Sequence, residues 1–89
     1  MSSVWVFVGE GANFPSGVFD SREAAGNWIV ANELSGSLTE YPLNTSVYDW
    51  AIANDLWQPK RDDQKSAKFI QRFSSAHLAH FHYEHGKCA

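Results

Sequence analysis

VWVFVGEGANFPSGVF, residues 4–19, reads as two short strands joined by a glycine-bearing turn. Val4, Val6 and Val8 alternate with Trp5 and Phe7, so both faces of the first strand are apolar. Such a strand is expected at the centre of a sheet, with helices covering it. Gly9-Glu10-Gly11 shares two glycines with a phosphate loop, but position 14 is Phe14, where G-x-G-x-x-G needs its third glycine. No helix follows at once, as anion binding would require, so a strand connection fits better. Pro15-Ser16-Gly17 makes a local bend before Val18 and Phe19.

Outward from that hairpin, Asp20 is placed to cap a helix, with Glu23 three positions on in a capping-box-like pair. The spacing predicts a helix over Ser21–Glu33, with Ala25, Trp28, Ile29 and Asn32 on its inner face. Gly26 weakens its interior by about 1 kcal/mol relative to Ala, or permits close approach of a neighbour. Ser35-Gly36 ends it, and Ser37–Pro42 (SLTEYP) alternates as a third strand. A second helix is expected over Ser46–Asn54, facing inward with Val47, Trp50, Ala51 and Asn54, and Pro59 prevents a long continuation. Lys60–Gln64 (KRDDQ) reads as a charged surface loop, and Ser66–Ser74 as a short helix burying Phe69, Ile70 and Phe73. Leu78–Glu84 (LAHFHYE) alternates as a final strand, with 85–89 expected to be a flexible tail. The order ββαβααβ predicts a single α+β domain over 1–89: a mixed or antiparallel sheet of about four strands with two to three helices packed on it.

Four Trp, three Tyr and six Phe in 89 residues supply the buried area that a small core needs. No apolar run reaches the roughly 20 residues that span a bilayer, and the N-terminus lacks a signal-like segment, so no membrane association is expected. The lone Cys88 has no internal disulfide partner, in keeping with a cytoplasmic protein. The net charge of −3 is unevenly spread. Residues 1–59 set one cation, Arg22, against seven carboxylates, a balance of −6; residues 60–89 set six cations against three carboxylates, +3. Such asymmetry either steers a charged partner or is self-complementary within the fold. The overall acidity argues against nucleic acid as a partner.

Candidate chemistry centres on the histidines. His80, His82 and Glu84 point to one side of the last strand, where residues two apart lie close enough to share a metal ion. Two imidazoles and a carboxylate form the donor set of many iron and zinc sites. An H-x-H without a second motif is weak, and a solvated polar strand face explains the same pattern. Those histidines also suit acid–base work near neutral pH on a phosphate-bearing substrate. Lys65, Lys68 and Arg72 would form a stripe able to hold phosphate or an acidic protein, although a solvated helix face looks identical. Ser16, Ser74 and Ser75 lie in no G-x-S-x-G elbow, and Cys88 sits too near the chain end to serve as a nucleophile. No catalytic set and no cofactor is therefore expected.

The aromatics of the second helix region are more suggestive. Tyr48, Trp50 and Trp57 surround a segment carrying Asp49 and Asp55, and a nine-residue helix cannot bury every ring. Tyr48, Asp49, Asp55 and Trp57 would make an acidic, aromatic patch of the kind that anchors protein partners. Completion of a small core is the competing explanation for the same rings. A non-enzymatic protein-binding module, immunity-like or inhibitor-like, follows from the patch; a small histidine-based or metal-dependent enzyme is the alternative. A homo-oligomer is a further possibility that composition leaves open.

The W-V-F-x-G-E-G-A-x-F-P-S-G-V-F block at Trp5–Phe19 resembles the start of a family of short bacterial proteins of unknown function. S-R-E-A-A-x-x-W at Ser21–Trp28, L-T-x-Y-P-L at Leu38–Leu43 and V-Y-D-W-A at Val47–Ala51 continue the likeness. R-F-S-S-A and H-F-H-Y-E, within Arg72–Glu84, complete it. The resemblance implies a free-standing bacterial domain, sometimes an accessory to larger proteins, and it brings no activity with it.

Overall fold

The computed structural model describes residues 2–89. Alternation in the first block becomes β1 (Ser3–Gly9) and the short β2 (Gly17–Phe19), followed by α1 (Arg22–Ala31) and β3 (Gly36–Pro42). Next come α2 (Val47–Ala53), a 3-10 turn (Asp62–Lys65), α3 (Ala67–Ile70), β4 (His80–Glu84) and β5 (Lys87–Cys88). The five strands form one antiparallel sheet in the order β2-β1-β3-β4-β5, so the fold is α+β, with one strand more than the sequence pattern indicates.

Connectivity decides which face is covered. β2 and β3 both run antiparallel to β1, hence parallel to each other, and α1 carries the chain across β1 on one face. Under α1 lies the main core of Phe7, Ala25, Ile29 and Leu38, flanked by Trp5, Phe19, Trp28, Leu34 and Tyr83. Phe7 meets Trp28 edge-on, with centroids 5.6 Å apart. The β3–β4 connection leaves the sheet at Pro42 and returns at the same end, since Thr39 pairs with His80. α2 and α3 therefore need not cross a face. The molecule measures 46 × 28 × 20 Å, whereas a seven-residue strand and a five-strand width each span about 24 Å. The α2–α3 unit accordingly extends beyond the end of the sheet. No helix of the described residues is long and apolar enough to cross a membrane.

Local signals explain the boundaries and the corrections. Ser21, not Asp20, caps α1, its hydroxyl accepting from the Ala24 amide at 3.1 Å. Glu33 at φ 52° closes α1 in a Schellman turn: its amide reaches Val30 O, and that of Leu34 reaches Ile29 O. α2 is capped by Ser46 and buries Ala51, as expected, together with Tyr48, while Val47 and Trp50 are only half-buried and Asn54 is exposed, because the inner face is rotated by less than a quarter turn toward Tyr48. The expected third helix is shorter, and the charged loop ahead of it is partly a 3-10 turn, where the Gln64 side chain accepts from the Lys60 and Arg61 amides. Residues 85–89 are not a loose tail. His85 (φ 52°) and Gly86 (φ 81°) make a two-residue type I′ turn, and β5 pairs back on β4 through Tyr83–Cys88 and Glu84–Lys87. The Gly86 amide also donates to Leu34 O at 2.8 Å, tying the hairpin to the end of α1.

The expected burial of β1 on both faces is the largest difference. Trp5 and Phe7 lie under α1, whereas Val4, Val6 and Val8 share the opposite face with Val18, Ser37, Thr39, Tyr41, His80 and His82. Those three valines are half-buried, shielded by neighbouring strands, and Val18 is 63 % exposed.

Candidate functional site

The α2–α3 unit is organised by four aromatic rings. Tyr48 of α2 meets Trp57 at 5.3 Å and Phe73 at 5.4 Å, both edge-on. Trp57 stacks on Phe69 with centroids 5.6 Å apart and planes 17° from parallel, and it contacts Phe73 at 4.8 Å. The Tyr48 hydroxyl donates to Gln64 O at 2.9 Å, which fastens α2 to the 3-10 turn. Tyr48 is only 8 % exposed, so this ring is a support for the cluster and not a contact surface. Trp57, Phe69 and Phe73 are half-buried, each keeping an accessible edge. Ile70, expected inside, is exposed.

Two carboxylates flank this cluster along the chain. Asp49 stands exposed in the first turn of α2, where a negative charge also suits the helix dipole. Asp55 stands exposed just beyond the helix at φ 56°, in a second Schellman turn closed by Asp55 N to Ile52 O and Leu56 N to Ala51 O. On its α3 side the cluster opens into a groove of about 470 Å³, lined by Asp63, Ser66, Lys68, Phe69, Arg72 and Phe73. Arg61 engages Asp63 at 3.2 Å, an exposed pair of small energetic worth. Lys68 and Arg72 lie within salt-bridge distance of no carboxylate among the described residues.

The histidine strand is assembled differently from a metal centre. His80 and His82 stand side by side on the uncovered sheet face, with ring centroids 5.5 Å apart and planes at 82°. His80 Nδ1 donates to Leu78 O at 2.7 Å, while His82 Nδ1 lies 3.3 Å from Ser37 Oγ. His82 and Glu84 line a shallow depression of about 450 Å³ with Glu10 and Ser37, and His80 is not part of it. Among the described residues no three His, Cys, Asp or Glu side chains converge well enough to hold a metal ion.

The two most exposed of the large apolar side chains were not singled out by sequence: Phe14, 79 % exposed in the β1–β2 loop, and Val18 on β2. Each looks like an ordinary hairpin residue; only the strand register reveals that Val18 borders an uncovered face.

A family model, described as Domain of unknown function (DUF7710), matches residues 4–89. The chain belongs to that family of uncharacterised domains. Neither the curated proteins nor the solved structures yielded a match.

Proposed function

We propose that residues 1–89 act as one non-enzymatic protein-binding module in the bacterial cytoplasm, immunity-like or inhibitor-like in working by occupying a partner. The observation that supports this reading best is the half-buried Trp57, held rigidly by Tyr48 and stacked on Phe69, in a unit that also exposes Asp49 and Asp55. A pre-ordered aromatic edge loses little entropy on binding, which is why such rings recur as interface anchors. Exposed carboxylates on and just beyond α2 add attraction for a basic partner surface and exclude acidic ones. Trp57 supplies the apolar anchor, Asp49 and Asp55 the charge, and Tyr48 the support beneath.

The test is affinity capture of the tagged protein from its native host, beside an Asp49→Asn, Asp55→Gly double variant. One stoichiometric protein captured by the wild type and lost by the folded variant is the expected result. Equal capture by both would remove this surface from consideration.

A further inference from the structure

The groove on the α3 side of the aromatic cluster is not used by the partner surface proposed above, which rests on Trp57, Asp49 and Asp55. Its lining falls entirely within residues 63–74, so one short stretch of chain builds a compact site of about 470 Å³, a volume in the range of small-ligand pockets. Two kinds of side chain share it. Phe69 and Phe73 are half-buried and belong to the four-ring cluster, so packing against Trp57 holds their accessible edges in place. The chain stays helical past the end of α3, with Gln71 N on Ala67 O, Arg72 N on Phe69 O and Phe73 N on Ile70 O. Lys68 and Arg72 are therefore neighbours one turn apart, as are Phe69 and Phe73. Both cations are exposed, and neither is within salt-bridge distance of a carboxylate among the described residues. Asp63 is the one carboxylate in the lining, and Arg61 already engages it at 3.2 Å. Residues 60–72 carry five cations against two carboxylates, +3 in a protein of net charge −3. A merely solvated helix face has no reason to set its cations beside an aromatic floor.

We propose that this groove binds a small free aromatic phosphate, a phosphate monoester carried on a flat ring. Charge selects the phosphate. At neutral pH a monoester holds nearly two negative charges and three acceptor oxygens, which suit a guanidinium and an ammonium one turn apart better than a single carboxylate does. Arg72 takes two of the oxygens side by side, Lys68 adds a point charge, and Ser74 brings a hydroxyl to the same groove. The ring lies against Phe69 and Phe73 and gains there the apolar contact that a bare phosphate lacks. Compactness selects a free ligand, because a site confined to one short stretch offers no long track for an extended peptide. Water screens both cations, so the affinity is on the order of 1 mM and weakens as salt rises.

Titration with phenyl phosphate, followed by amide NMR, tests this. Shift changes should saturate and cluster on residues 63–74. Inorganic phosphate and phenol should each bind about 10-fold more weakly or worse, because each supplies one half of the ligand. Lys68→Gln and Arg72→Gln, both at exposed positions, should fold like wild type by circular dichroism and weaken phenyl phosphate about 5-fold or more. The Asp49→Asn, Asp55→Gly variant should bind phenyl phosphate like wild type, which separates this site from the proposed partner surface. Shift changes scattered over the rest of the chain, inorganic phosphate binding as tightly as phenyl phosphate, or full affinity in both cation variants overturns the proposal. So does a phosphotyrosine pentapeptide that binds about 10-fold more tightly than phenyl phosphate, since the groove would then read a modified protein.

Discussion

The guanidinium carbon of Arg22 lies 3.5 Å from the centroid of the Phe81 ring. This contact joins the first turn of α1 to β4, and Phe81 in turn meets Trp5 of β1 at 6.0 Å. Arg22 is the one lysine or arginine among residues 1–59, and it is spent on a ring instead of a carboxylate. Arg22→Ala is expected to cost about 1 kcal/mol in urea denaturation, and Arg22→Lys less, because an ammonium keeps the charge but loses the flat stacking. An unchanged midpoint for Arg22→Ala would show that solvent screening cancels the contact.

Gly36 ends the β1–β3 ladder opposite Gly9, at φ 156°. A Cβ there would overlap the Val8 carbonyl oxygen and come within 2.8 Å of Gly9 Cα, and both are backbone atoms that cannot swing away. Gly36→Ala should cost about 3 kcal/mol by thermal melting, whereas Gly11→Ala, with nothing within 4 Å but φ 78°, should cost about 1 kcal/mol. Similar melting temperatures for the two would mean that β1 and β3 separate readily at this rung.

The four-ring cluster should behave as a second core. Trp57→Ala removes the ring that contacts Tyr48, Phe69 and Phe73, and is expected to cost about 3 kcal/mol. Tyr48→Phe leaves the ring and strips one hydrogen bond from Gln64 O, at about 1 kcal/mol. Hydrogen exchange should speed up over α2 and α3 in both variants while α1 and the sheet stay protected, because the two units touch over so little of the sheet.

Asp55 and Glu33 occupy left-handed positions that L side chains enter at a cost of about 1 kcal/mol. Asp55→Gly and Glu33→Gly should leave stability unchanged or raise it by up to about 1 kcal/mol, although glycine adds entropy to the unfolded chain. Asp55→Gly thus removes a candidate binding carboxylate without weakening the fold. A large loss of stability would point to a structural contact for the carboxylate.

Much of this architecture is legible in the residues. The strands at Val4–Val8 and Ser37–Pro42 and the helix from Arg22 announce themselves by periodicity and caps, and the α+β class follows. His85-Gly86 was the missed signal: two positive φ angles after an alternating strand are what a two-residue hairpin needs, and they convert an apparent tail into β5. Coverage of the valine face was not legible. Alternation states that both sides of β1 are apolar, but which side receives a helix depends on where α1 crosses and where the long β3–β4 connection returns. The aromatic residues of this region stand out in the sequence as a group, but which of them the fold buries does not: Tyr48 goes inside, while Trp57, beyond the end of α2, stays half-buried.

Zinc or nickel titration addresses the histidine strand directly. His80 commits Nδ1 to Leu78 O, which leaves Nε2 as its free donor, and His82 is within reach of Ser37. Two imidazoles 5.5 Å apart offer at most two nitrogen donors, and Glu84 lines a depression that His80 does not enter. Closed metal sites need four ligands and open ones three, so binding should be weaker than about 100 µM and should not saturate at one equivalent. His82→Gln should abolish what binding there is, because one imidazole alone competes poorly with water. Tight uptake of one equivalent by the wild type would require Glu84 or Glu10 to swing onto the metal, and would move the metal-dependent enzyme from the alternative reading of this strand to the leading one.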